Sequence, residues 1–240
     1  GGGSSRAGRT GASPAAPGML LRSLRGDETA IRLRLAPDPH LYTWGARFLR
    51  ECTPTRARRN TIVKLRLCQY SQRVMNELTR TEGLDYHAVS KGALYLYRDP
   101  ALLAAGIKKM ALLAEHGQKQ EILDANAVAR LEPAFEPVKS KIAGAIRDVG
   151  DSTGDSRVFV EELARVCRDK HGATIRLGTR VIALRGDHDR INNVVTSEGV
   201  LTADNYVLAL GVGAPIVART VGVGLPIYPA KGYSSTFPLK

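Results

Sequence analysis

The sequence is poor in cysteine, poor in aromatics and free of long apolar runs, and each shortage removes a class of protein. Its three cysteines, Cys52, Cys68 and Cys167, stand far apart and none falls in a Cys-x-x-Cys spacing. Such a set argues against a zinc site or a disulfide framework and reads as buried thiols in a reducing compartment. Aromatic residues make up 5% of the chain, whereas Gly (24) and Pro (12) are plentiful. That balance favours a loop-rich α/β chain over a helical bundle. Residues 205–218 are the longest stretch without charge, too short and too interrupted by Gly and Pro to span a bilayer. The Gly/Ser/Arg-rich start has no apolar centre of the kind a secretory signal needs. No Gly-x-Gly-x-x-Gly occurs anywhere, so the turn that commonly cradles a dinucleotide pyrophosphate is missing. His40, His87, His116, His171 and His188 show no metal-ligand spacing, and no Ser/His/Asp or Cys/His arrangement supplies a nucleophile. No metal is expected.

What remains is an ordinary globular composition, 43% hydrophobic over 240 residues, enough for one large domain or two small ones. The formal charge of +12 is uneven, because residues 1–80 hold 15 Arg/Lys against 5 Asp/Glu. A basic segment of this kind is a solvated surface in its plainest reading; an anionic membrane surface comes next, and no nucleic acid is expected. Residues 1–18 are a low-complexity run of Gly, Ser, Ala, Arg and Pro opening on Gly1, which predicts a fragment or processed start. Residues 3–10 come close to a phosphate-binding loop, but Arg9 stands where that loop needs Lys and no strand precedes it, so the match is rejected.

Periodicity organises the rest. From Met19 to about Gly83 the pattern is helical: Leu41, Trp44, Phe48 and Leu49 recur on one face, and the period continues through Val63, Leu67, Tyr70, Val74 and Leu78. These faces are expected to pack against the rest of the domain. Beyond Gly83, residues 94–97 read as a strand, Asp99-Pro100 opens a helix to about His116, and residues 142–146 read as a second strand. Ser156 can cap a helix whose Phe159, Leu163 and Val166 share a face and which Gly172 ends. Short strands are expected at 173–177, 181–184 and 191–195, with turns between them. Residues 206–210 then form a continuous apolar strand of the type buried in a parallel sheet. Gly211 and Gly213 follow it at the carboxyl edge of that sheet, where doubly wound folds bind cofactors.

The order of these parts is specific. A capped helix, Thr179-Arg180-Val181, a short meander, the run from Ala203 through Asp204-Asn205-Tyr206 to Gly211, and Pro229-Ala230-Lys231-Gly232-Tyr233-Ser234 follow one another. Together with Lys91-Gly92, Leu131-Glu132-Pro133, Lys141 to Ile146 and Asp151-Ser152-Thr153-Gly154-Asp155, they resemble the flavin-dependent amino acid oxidoreductases related to D-amino acid oxidase. The bacterial D-amino acid dehydrogenase small subunit is the nearest pattern. The resemblance is weak at first and strong after Asp148.

That resemblance implies an α/β architecture: a Rossmann-like, doubly wound FAD-binding domain, incomplete without its amino-terminal βαβ unit, beside an α+β substrate domain. The expected divisions are a low-complexity start at 1–18, a helical segment at 19–84, part of the substrate domain at 85–148, part of the FAD-binding domain at 149–228, and a return into the substrate domain from 229. It places the main chain of Val181 against the adenine of FAD, Ala209, Leu210 and Gly211 beside the dinucleotide, and Lys231 and Gly232 near the flavin ring. Val181 also suits core packing, and Lys231 also suits a solvated strand end. Tyr95, Tyr97 and Tyr233 are candidates for substrate contact, each equally a half-buried strand tyrosine. The implied reaction is oxidative deamination of a D-amino acid, with electrons passed to a quinone or other respiratory acceptor. The implied location is cytoplasmic, with peripheral contact at the inner membrane. A glycine or sarcosine oxidase, and a non-catalytic basic module binding lipid or nucleic acid, are the competing readings. Relatives open with the glycine-rich turn and continue past the Lys-Gly-Tyr segment to a carboxylate-binding arginine; neither is present here, and Lys91 replaces a usual glycine. The 240-residue polypeptide by itself is expected to bind FAD poorly and to be inactive.

Overall fold

The computed structural model describes residues 14–24, 37–187 and 189–232. The near-match at residues 3–10, His188 and Tyr233 lie outside them. The chain divides into two compact units, one built on residues 53–171 and the other on the described parts of 15–52 and 172–240.

In the first unit, helix α3 (Pro54–Glu82) starts with Pro54 at its first position and stops at Gly83, whose φ of 65° closes the helix in the left-handed region. Its buried stripe matches the expected one only at Val74 and Leu78, both half-buried. Leu65 is buried and Ile62, Gln69 and Gln72 are half-buried, whereas Val63, Leu67 and Tyr70 are 60%, 64% and 57% exposed. Polar bonds hold the inner face: Gln69 Nε2 donates to His116 O at 3.2 Å, and Gln72 Nε2 donates to Gly150 O. Apolar periodicity therefore pointed outward at Val63, Leu67 and Tyr70, and to the packed side only near the carboxyl end, where Leu78 meets the cluster of Leu84, Tyr86 and Val166.

Strands β1 (Ala93–Tyr97), β2 (Gln120–Leu123) and β3 (Gly144–Asp148) form an antiparallel sheet in the order β1-β3-β2. Strand β3 begins two residues later than expected, and β2, short and half polar, escapes a search for apolar alternation. The central strand buries Ala145 and Ile146 completely or nearly so. It also buries Asp148, whose two carboxylate oxygens each accept from Gln118 Nε2 at 2.7 Å. Helix α4 (Pro100–Glu115) packs on this sheet; it is capped as expected, Asp99 Oδ1 accepting from Ala101 N and Leu102 N. Helix α5 (Ala125–Leu131) is capped in the same way by Asp124.

The segment Asp151 to Asp155 joins this sheet to helix α6 (Ser156–His171). Thr153 bridges Val89, Asp155 N donates to Tyr86 O at 2.8 Å, and Asp155 Oδ1 accepts from Arg157 N and Val158 N. The cap of α6 is thus Asp155 rather than Ser156, because the bond to Tyr86 already fixes Asp155 in place. Tyr86 packs edge-on against Phe159 at 5.1 Å between ring centres, in a cluster with Leu84 and Val166.

The second unit holds α1 (Ala16–Leu24), α2 (Pro39–Arg50) and an antiparallel meander of β4 (Val181–Gly186), β5 (Ile191–Thr196) and β6 (Gly199–Leu201). Helix α7 (Ala214–Ala218) buries Ala214, Pro215, Val217 and Ala218. Two expected strands do not form: residues 173–177 and 206–210 are irregular, with Leu177 88% and Val207 90% exposed. An apolar strand of a parallel sheet needs hydrogen-bonded neighbours along its edges, and among the described residues none pairs with either segment.

A Cβ on residue 154 would meet the Tyr86 ring at 2.5 Å. Gly154→Ala is therefore expected to destabilise the first unit by about 1–3 kcal/mol, the usual cost of overpacking, read as a lowered urea midpoint; an unchanged midpoint would show that this junction has slack. Backbone bonds from Val158 and then Arg157 hold the Asp155 carboxyl below its ordinary range. Its stabilising effect is present above the unfolded pKa and is lost as pH falls through the folded one. Asp155→Asn should flatten the acid limb of a melting-temperature profile, and an identical limb would contradict the cap.

Candidate functional site

The residues expected at the cofactor lie in the second unit. Val181, half-buried, opens β4 and pairs with the buried Thr196 of β5. The register shifts between Val181 and Ala183, which leaves Ile182 outside the regular ladder and 52% exposed. Such a bulge leaves backbone groups free of the strand partner. Two residues before Val181, Thr179 Oγ1 is shielded from solvent and has no hydrogen-bond partner. A buried hydroxyl without a partner is costly and marks a place where a polar ligand atom would be accepted. Thr179 stands in the Thr179-Arg180-Val181 motif, but its residue type alone gives it no site role.

Ala209 and Leu210 are exposed and unpaired in any strand, and Gly211, with φ of 53° and open space where a Cβ would stand, turns the chain into a short 3-10 segment at 211–213. This turn is tied to the meander. Leu184 N donates to Thr220 Oγ1 at 2.9 Å, and Thr220 Oγ1 donates to Val217 O at 2.6 Å. Tyr206 Oη donates to Asn192 O at 2.8 Å and accepts from Ala203 N at 2.9 Å. The Val181 strand and the Gly211 turn therefore belong to one packed group.

Lys231 and Gly232 are exposed, with open space beside Gly232. The stretch leading to them is anchored by Tyr228, whose hydroxyl donates to Asp38 Oδ2 at 3.1 Å. Asp38 Oδ1 meanwhile accepts from His40 N and caps α2. Trp44 stacks on Phe48 at 5.2 Å and lies 5.8 Å from the Tyr228 ring. Neither Asp38 nor Tyr228 was singled out from sequence, since a capping Asp and a Pro-flanked Tyr are 190 residues apart in the chain.

Tyr95 and Tyr97 stand on β1 in the first unit, on the same side of the strand, and both are half-buried. Tyr97 lies against α4, so close that a Cβ at Gly106 would meet its hydroxyl at 2.4 Å. That ring is a strand-to-helix packing element. No group of three or more His, Cys, Asp or Glu that could hold a metal is found among the described residues, and no described helix is long and apolar enough to cross a membrane.

The orphaned Thr179 hydroxyl, the bulge at Val181 and the bare backbone at Gly211 suit the adenosine part of a dinucleotide. The sequence has no Gly-x-Gly-x-x-Gly turn to cradle the pyrophosphate. Residues 4–240 match the family described as FAD dependent oxidoreductase, and the chain belongs to that family. It is 41% identical over 229 residues to D-amino acid dehydrogenase 2 of Mesorhizobium japonicum, covering 95% of this chain and 55% of that protein. It is 38% identical over 229 residues to D-amino acid dehydrogenase of Methylobacterium nodulans, covering 94% and 54%. The chain thus spans about half the length of these relatives. Among solved structures, glycine oxidase from Geobacillus kaustophilus superposes with a TM-score of 0.58 at 23% identity, over 68% of this chain and 44% of that one. L-proline dehydrogenase from P. horikoshii gives 0.56 at 16% identity, over 89% and 54%. These likenesses are of fold, and they bear out the FAD-dependent oxidoreductase fold expected from sequence.

Desolvation raises the Tyr228 hydroxyl above the ordinary tyrosine range, and the Asp38 carboxylate raises it further. An ultraviolet titration should contain one late-ionising tyrosine that disappears in Tyr228→Phe and moves back toward the ordinary range in Asp38→Asn. A titration unchanged in both variants would contradict the Tyr228 to Asp38 bond.

Proposed function

We propose that the protein is an FAD-dependent dehydrogenase that converts D-amino acids to 2-oxo acids and ammonia and passes the electrons to a quinone or other respiratory acceptor. The observation that carries this reading is the identity to two D-amino acid dehydrogenases along nearly the whole of this chain. When bound, FAD would supply a hydride acceptor for oxidation of the substrate at its α-carbon, and the imino acid product would be hydrolysed by water to the 2-oxo acid and ammonia.

The residues of this chain have supporting parts. The main chain at Val181 and the Thr179 hydroxyl would receive the adenosine portion, the latter gaining the partner it lacks. Ala209, Leu210 and Gly211 would lie along the dinucleotide, where a glycine allows close approach of the backbone. Lys231 and Gly232 would face the flavin end, held by the Tyr228 to Asp38 bond. Tyr95 and Tyr233 would contact substrate, with Tyr97 in a supporting role on β1. Orientation of the α-hydrogen toward the flavin is the main demand on such side chains.

The test uses the protein expressed with its flanking coding sequence. D-alanine and other D-amino acids should reduce a dye acceptor with release of ammonia and 2-oxo acid, while L-amino acids, glycine and sarcosine should not. Turnover of glycine or sarcosine in preference to D-amino acids would overturn the reading. The 240-residue polypeptide alone should purify colourless and leave the dye oxidised; a yellow, dye-reducing preparation would show that it holds a working flavin site.

A further inference from the structure

Helix α3 carries an apolar stripe that is largely open to solvent. Val63, Leu67 and Tyr70 are each more than half exposed, and Val74 continues the line half-buried. Their spacing alternates four, three and four residues, which is the seam of a heptad repeat with two apolar positions in seven. One edge of the seam is basic throughout its length. Arg59, Arg66, Arg73 and Arg80 recur every seven residues, so all four occupy the same flanking position, and all are exposed. None of them forms an ion pair within the described residues; Arg73 instead lies over the Tyr70 ring at 5.3 Å, keeping its charge along the seam. The other polar contacts of α3, such as Arg58 to Glu115 and Gln69 to His116, are made from its opposite side.

We propose that this face is a docking site for an acidic amphipathic helix, whose apolar side fills the Val63, Leu67, Tyr70 and Val74 seam and whose Glu or Asp residues meet the arginine row. The charge pattern selects this occupant. In a second copy of the chain, Arg59 would face Lys64 in a parallel pair, and the arginine row would face itself in an antiparallel one, so self-association is repelled. A helix lying in a bilayer buries a wide apolar face with basic residues along both borders; here the stripe is narrow and the basic row runs along one edge. Flanking charges of this kind set partner choice and association rate, and the apolar seam supplies the contact area.

The test is fluorescence anisotropy with two labelled helical peptides of about three heptads, both with Leu at the seam positions, one with Glu and one with Lys at the flanking positions. The intact chain should bind the Glu peptide and leave the Lys peptide free. Arg66→Glu/Arg73→Glu should weaken the Glu peptide by about tenfold or more and acquire affinity for the Lys peptide, a rescue that a misfolded variant could not give. Leu67→Asp, a change at an exposed position, should weaken the Glu peptide while leaving the circular dichroism spectrum intact. Equal binding of both peptides would overturn the proposal. So would binding to phosphatidylglycerol vesicles that depends on Leu67 while the Glu peptide stays unbound, or dimerisation of the chain abolished by Leu67→Asp.

Discussion

A β-strand in the interior is only as stable as the strands beside it, because each of its amides and carbonyls needs a partner once water is excluded. This constraint governs the second unit. Residues 206–210 have the composition of a buried strand, yet they lie exposed and unpaired, and the helix and turn that follow them pack on an antiparallel meander instead. What the unit does hold firmly is the β4 to β6 meander, the Thr220 tie to Leu184 and the Asp38 to Tyr228 bond. Those fixed parts are the ones that carry Val181, Thr179 and the approach to Lys231.

The first unit obeys a different logic. Its sheet is short but complete, with β3 paired on both edges, and its most recognisable motif, Asp151 to Asp155, does structural work at each position that the contacts reveal. Thr153 pairs with Val89, Gly154 makes room for the Tyr86 ring, and Asp155 caps α6. A motif that identifies the family here is thus a junction between sheet and helix.

Much of this was legible in the residues. Asp99-Pro100 and Gly83 mark helix ends through local backbone chemistry, and local chemistry needs no tertiary context. The order of elements after Asp148 pointed to the family that residues 4–240 match. Three features were not legible. Midway along α3 the inner side carries Gln69 and Gln72, which bond to distant carbonyls, so hydrophobicity there marked the exposed side. Strand β2 is too short and too polar to show alternation, and exists because β3 pairs with it. Residues 206–210 have strand-like composition, but pairing is a property of neighbours. The same holds for the site: Val181 was recognisable within a motif, whereas Thr179 emerged through an unsatisfied hydroxyl and Tyr228 through a bond to a residue far away in sequence.

We propose that this chain carries the adenosine side of a FAD site at the start of β4. Amide hydrogen exchange of the polypeptide at saturating FAD tests it most directly. Peptides covering residues 178–184 should exchange more slowly with FAD than without, while those covering β1, in the other unit, should be unchanged. Equal exchange at 178–184 with and without FAD, or protection confined to β1, would contradict it.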